Sequence, residues 1–227
     1  MGTKVVALKT VDGSEIWTKQ LPDDIYRSSP AVSEELVIIG CRDHKVYALD
    51  KLDGTVKWSF ITAGYVDTSP VFENGIAYVA SEVREHGEFT NFPNSRVYAL
   101  NINDGSLVWQ VTLDQGVYEN SPALYGGRIF IGTSAGILYG IRITDGQIDW
   151  ANAVVGSGSG IYSSAAISGG IVYIGSNNNK MYGIDCSTGS VVWEYTTGGI
   201  IRNAPAIAVG RLFFASSDGK MYSFLMR

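Results

Sequence analysis

Tyr47-Ala-Leu-Asp-Lys-Leu-Asp-Gly-Thr-Val-Lys-Trp58 is the stretch on which the fold turns. An alternating apolar run leads into an Asp-Gly turn, and a second alternating run ends on Trp. That is one antiparallel strand pair with its turn. The Gly-to-Trp half recurs in phase as Gly13/Trp17, Gly54/Trp58, Gly105/Trp109, Gly146/Trp150 and Gly189/Trp193, and all five tryptophans of the chain are used this way. Successive Trp lie 41, 51, 41 and 43 residues apart. A period near 42 means one supersecondary unit stacked on copies of itself, so the tryptophans read as architecture before they read as a site.

Each unit divides into four short runs. Between residues 162 and 195 these are Tyr162–Ile167, Ile171–Gly175, Lys180–Asp185 and Ser190–Tyr195, separated by Gly-, Asn- and Ser-rich turns. The first runs repeat as Ser28–Val32, Thr68–Phe72, Asn120–Leu124, Ser163–Ile167 and Asn203–Ile207. Third runs carry an aromatic and then a small residue, as in Tyr47-Ala48, Tyr139-Gly140 and Tyr182-Gly183, leaving room for an indole. No segment carries a helical period. Four meandering strands in about 42 residues is the size of a β-propeller blade. The expected fold is therefore all-β, a propeller of four-stranded antiparallel blades in a single domain over 1–227. Its repeats run over roughly 4–20, 25–61, 65–112, 117–152, 160–196 and 200–227, the first and last partial.

Strand counting gives 21, one more than a five-bladed ring needs. The expected solution is five blades closed by the N-terminal strands, with Lys4–Lys9 as a spare. A fragment of a seven- or eight-bladed ring is the alternative, and exchange of the first strands between copies a third.

The phrase Tyr47–Trp58, with Ser-Pro-Ala-Val before it, resembles the quinoprotein-type or PQQ-like repeat over nearly the whole chain. The resemblance implies that the Gly-to-Trp segment locks neighbouring blades. Lys9 and Arg142 depart from the pattern where Asp50 and Asp185 follow it. No Trp-Asp dipeptide closes a repeat, which disfavours the WD type. Relatives of the resembled type include an outer-membrane assembly scaffold and sensor domains of kinases, and the resemblance favours an extracytoplasmic location. The start, Met1–Lys9, lacks the charged and then apolar regions of a signal peptide.

Quinone-dependent catalysis is not expected. Enzymes of the resembled type use an adjacent Cys-Cys pair and a calcium ion, whereas Cys41 and Cys186 are isolated here. Neither PQQ nor calcium is therefore expected as a cofactor. His44 and His86 are not spaced as a ligand pair, so no metal site is expected. Asn101-x-Asn103-Asp104-Gly105 reads as a turn, and Gly156–Gly160 as a loop between blades. With a net charge of −5 and no Lys/Arg run, no nucleic-acid footprint exists. No apolar run is long enough to insert in a membrane as a helix.

Two departures from the repeat attract functional interest. The interval of 51 carries about ten extra residues within Glu82–Asn94, a candidate contact loop with His86, Phe89 and Phe92. The position three before each repeat's Pro, or its Ala substitute, reads Arg27, Asp67, Glu119, Tyr162 and Arg202. First strands line a propeller's channel, so these five are a candidate channel mouth, with Tyr26, Tyr65 and Tyr118 nearby. The expected function is a non-catalytic scaffold that docks a protein or peptide on a loop face or at the channel mouth. A small-ligand or glycan-binding propeller using turns such as Asn177–Asn179 is the alternative.

Overall fold

The structure, a computed structural model, describes residues 2–82, 94–153 and 159–226. All its regular elements are strands. The chain divides into two compact units, the first holding β1–β10 and the second β11–β21.

In the first unit, β1 (Lys4–Leu8) and β2 (Glu15–Gln20) form a two-stranded sheet. Then come β3 (Ala31–Val32), β4 (Leu36–Cys41), β5 (Lys45–Asp50) and β6 (Val56–Ile61) as one four-stranded meander, and β7 (Val71–Glu73), β8 (Ile76–Ser81), β9 (Arg96–Asn101) and β10 (Leu107–Thr112) as another. β4 shows why sheets must stack. It is buried along its whole length, because alternate residues face opposite sides. Leu36 and Ile38 pack with Trp58, Val79, Tyr98 and Leu100 of the next sheet's core, while Val37, Ile39 and Cys41 pack with Val5, Trp17 and Leu21.

The second unit repeats this with β11 (Ala123–Tyr125), β12 (Arg128–Gly132), β13 (Ile137–Arg142) and β14 (Ile148–Ala153), and with β15 (Ala166–Ser168), β16 (Ile171–Gly175), β17 (Lys180–Asp185) and β18 (Val191–Thr196). It ends in a three-stranded sheet of β19 (Ala206–Ala208), β20 (Arg211–Ala215) and β21 (Met221–Leu225). Among the described residues β21 pairs with β20 and β2 with β1, so the expected closing pair of β2 and the last sheet is not one of the ladders. The first strands are shorter than the sequence suggests. Pro30, Pro70, Pro122 and Pro205 lack an N–H, and the ladder begins only after them.

The repeated phrase builds the junction between sheets. Gly13, Gly54, Gly105, Gly146 and Gly189 all have φ between 71° and 74°, a backbone region that costs other residues about 1–2 kcal/mol. In the turn, Gly54 N donates to Asp50 O at 2.9 Å and Asp50 N to Thr55 O at 2.7 Å. Side-chain acceptors finish the job. Asp185 Oδ1 accepts from both the amide and the hydroxyl of Ser187 and of Thr188, which lowers its pKa to about 2.

Each indole lies not on its own glycine but on that of the following phrase. A Cβ built on Gly54 would sit 2.6 Å from Trp17, one on Gly105 2.6 Å from Trp58, and one on Gly189 2.6 Å from Trp150. The indole N–H then donates to the carbonyl three residues before that glycine: Trp17 to Lys51 at 2.9 Å, Trp58 to Ile102 at 2.8 Å, Trp150 to Cys186 at 3.2 Å. The small residue of the third strand stands opposite the Trp, as Ala48 does to Trp58 and Gly140 to Trp150.

Gly105→Ala, which must both enter the left-handed region and displace Trp58, is expected to cost roughly 3 kcal/mol. Gly13→Ala, with nothing within 4 Å, pays only the backbone term, about 1 kcal/mol. Urea denaturation of the two variants checks this. Equal losses would mean that the indole seat contributes nothing.

Candidate functional site

The candidate residues sit on the segments that enter each sheet, and those segments are held by buried polar latches. Ser28 Oγ donates to Thr68 O at 3.0 Å and accepts from Gly40 N at 3.0 Å. Thr68 Oγ1 donates to Ala80 O at 2.8 Å. In the second unit Asn120 Nδ2 donates to Gly132 O at 2.9 Å and to Ile161 O at 3.1 Å, and Ser163 Oγ donates to Asn203 O at 3.0 Å. All four latch residues are buried. Each ties its segment to its own second strand, to the next segment, or to both. Sequence reasoning placed them in strands and missed this role. The available signal was a small polar residue in the same place of every copy, ahead of Pro or Ala.

A second link fixes how the segment approaches. The residue just past each second strand donates its backbone N–H to the incoming segment: Arg42 to Asp24 O, Glu82 to Tyr65 O, Ser134 to Gly116 O, Asn177 to Gly160 O and Ser217 to Ile200 O. Counted from these anchors, the segments through Arg27 and Glu119 contain one residue more than those through Asp67, Tyr162 and Arg202. The extra residue is absorbed by a left-handed backbone at Arg27 (φ 64°) and Glu119 (φ 65°), sparsely populated for any residue but Gly. In the shorter segments the preceding residue is apolar and buried, as Val66, Ile161 and Ile201 are. In the longer ones it is a half-buried tyrosine, Tyr26 or Tyr118, while Val117 fills the core place ahead of Tyr118.

The five expected mouth residues therefore share a sequence position but not an environment. In the first unit Asp67 is only 2% exposed and is gripped by Arg42 in a bidentate pair, Nε to Oδ1 at 2.8 Å and Nη2 to Oδ2 at 2.6 Å. Arg42 lies over the Tyr26 ring at 3.9 Å and near that of Tyr65 at 5.4 Å, with His44 edge-on to Tyr65 at 5.1 Å. The Asp67 hydrogen bonds raise the pKa of Arg42 against the opposing effect of burial, and the nearby Glu82 adds to the rise. Arg27 is exposed, its guanidinium 4.8 Å from the Tyr26 ring centroid.

In the second unit Tyr162 is the hub. Tyr118 meets it edge-on at 5.3 Å, and Arg202 lies over it at 5.1 Å while donating from Nε to Asn177 Oδ1 at 3.2 Å. Gly160 makes this possible, since a Cβ there would fall 2.7 Å from the Tyr162 ring. Glu119 is half-buried beside this cluster in sequence. His86, Phe89 and Phe92 lie outside the described residues, as does part of the Gly156–Gly160 stretch.

Chemically, the two clusters offer fixed cations held on aromatic faces, an arrangement suited to recognition of carboxylates and planar groups. Cys41 and Cys186 are free and buried, and desolvation pushes both thiols up to about 11, so they stay protonated at neutral pH. The Asp104 carboxylate accepts from the Ser106 amide at 2.9 Å and the Ser106 hydroxyl at 2.6 Å, the geometry of a turn. Among the described residues no group of three or more His, Cys, Asp or Glu is placed to hold a metal ion.

Arg42→Met, which leaves the Asp67 carboxylate buried without its bidentate cation, is expected to cost about 3 kcal/mol. Asp67→Asn, which keeps a hydrogen-bonding side chain, should cost roughly 1–2 kcal/mol. Urea unfolding of both variants tests the ordering, and the reverse order would show that burial of the charge is not what the pair offsets.

Residues 1–110, 61–166 and 154–225 match the family described as outer membrane protein assembly factor BamB. The assembly factor BamB of Moranella endobia is 27% identical over 170 residues, covering 68% of this chain and 40% of that protein. This chain thus spans about 40% of the length of that curated relative. In structure, BamB from Moraxella catarrhalis superposes with a TM-score of 0.77 at 20% identity, over 98% of this chain and 64% of that one. A quinohemoprotein alcohol dehydrogenase from Pseudomonas putida superposes with a TM-score of 0.71 at 17% identity, over 99% of this chain and 42% of that one. At those identities the likeness is one of fold, the all-β architecture expected from the repeats. The family match, by contrast, covers most of the sequence: the chain belongs to the PQQ-like repeat family described as outer membrane protein assembly factor BamB.

Proposed function

We propose that this chain is a non-catalytic protein-binding scaffold of outer-membrane protein assembly, working outside the cytoplasm. We place its docking surface at the segments carrying Arg27 and Arg202. The supporting observation is that in each unit an exposed guanidinium rests on a tyrosine ring, Arg27 on Tyr26 and Arg202 on Tyr162, above a backbone held by buried latches. Arg and Tyr are the residues that most often dominate binding energy at protein interfaces. Rings and latches hold these two in place before any partner arrives, which lowers the entropy lost on binding. The partner chemistry that fits is a protein segment rich in carboxylates.

Binding of the 227-residue chain to solubilised outer-membrane assembly proteins, measured by surface plasmon resonance, tests the reading. The double variant Arg27→Glu/Arg202→Glu should bind at least about tenfold more weakly, equivalent to 1.4 kcal/mol. Unchanged affinity would remove these segments as the docking surface. No binding by the unmodified chain would overturn the scaffold reading. Adding pyrroloquinoline quinone and calcium should leave Tm unchanged, since a ligand that binds only the native state would raise it.

A further inference from the structure

The junction between sheets has two halves, an indole and the glycine turn that seats it, and one of each is left over. Gly13 has the same turn geometry as its counterparts, with φ 72°, yet nothing lies within 4 Å of a Cβ built there. Trp193 is the complementary remainder. It is half-buried where Trp17, Trp58 and Trp109 are buried, and its indole N–H makes no hydrogen bond among the described residues. It borders an open apolar groove of about 300 Å3 shared with Tyr173, Leu212, Phe224 and Leu225.

The last sheet has a matching gap. β5, β9, β13 and β17, the third strands of complete sheets, are buried over their central four residues. β21 has no fourth strand, and its Met221 and Leu225 are 77% and 68% exposed. An open apolar strand edge is a template for another strand. At its far corner stands Arg211, first residue of β20. Its counterpart Arg128, first residue of β12, is paired at 2.8 Å with Asp149 in the fourth strand of its own sheet.

We infer that a second copy of this chain supplies the missing strand: β2 of one copy pairs with β21 of the other, and Trp193 seats on the incoming Gly13. The ladders of the complete sheets set the register. Gly183 pairs with Trp193 and Tyr182 with Glu194, so Ser223 would face Trp17 and Tyr222 would face Thr18. The indole N–H of Trp193 would donate to Thr10 O, three residues before Gly13, as in the seated tryptophans. β2 carries Glu15, one residue along from the place that Asp149 occupies, which brings an acid towards Arg211. β1 and β21 occupy the same rung positions, so β21 replaces β1. Five backbone pairings are given up and an equivalent ladder is formed. The gain is the indole seat, the covered groove and the Arg211 partner. Because the two halves lie on different parts of the chain, the contact is heterologous, and copies join head to tail.

Sedimentation velocity on the full chain tests this. Association should appear by about 100 µM, the range expected of a single junction of this size. Gly13→Asn keeps a residue tolerant of the left-handed region but fills the seat, and should weaken association at least about tenfold. Trp193→Leu should do the same. A mixture of the two variants retains one intact junction between unlike chains, and should form a heterodimer although neither variant associates alone. That recovery also shows that both variants are folded. A native chain that stays monomeric would overturn the inference, as would association unaffected by Gly13→Asn or a mixture that fails to associate.

Discussion

Everything in this structure depends on a flat ring lying against a residue with no side chain. An indole can approach a turn to 2.6 Å of a virtual Cβ only if that turn contains glycine, and the turn adopts φ near 72° only at a cost that glycine avoids. The two demands fall on the same residue, which is why Gly and Trp recur together. The N–H of the indole finds a carbonyl in the same turn, so a large amphipathic side chain is buried without an unmet donor. Sheets that are apolar on both faces, as β4 is, then have a defined neighbour and a defined distance.

The lock constrains the outer strands and leaves the inner segments free to differ. The latches Ser28, Thr68, Asn120 and Ser163 fix where a segment crosses the second strand, but not how many residues precede that crossing. One extra residue, taken up at Arg27 or Glu119 by a left-handed backbone, replaces a buried aliphatic with a half-buried tyrosine. A repeat thereby acquires a recognition surface without disturbing its core. Loops on rigid scaffolds commonly carry function for this reason.

The repeat made strand order and the Trp-Gly phase legible, because both rest on a local pattern of turn residues and alternation. The environment of Asp67 was not legible. Its partner, Arg42, belongs to the turn after β4, twenty-five residues earlier, and only stacking brings the two together. Arg42 and Glu82 occupy equivalent places in successive copies where the second unit has Ser134, Asn177 and Ser217. A reading that compared that place with the residue three before the next Pro would have matched Arg42 to Asp67 and Asn177 to Arg202. The extra residue before Arg27 and before Glu119 was equally hidden, because counting back from Pro aligns positions that the backbone anchors do not.

A fold shared with a quinohemoprotein dehydrogenase at 17% identity raises the question of why one architecture serves both redox chemistry and scaffolding. The answer lies in what the lock leaves unspecified. Glycine turns and indoles account for sheet stacking in any protein built this way, and they take part in no chemistry themselves. Chemistry requires additions at the inner segments and loops. In this chain the additions that can be described are guanidinium groups on tyrosine rings and thiols that burial keeps protonated. Those groups bind far better than they transfer protons or electrons. The character of the molecule is therefore set by a few residues in segments that the repeat does not determine.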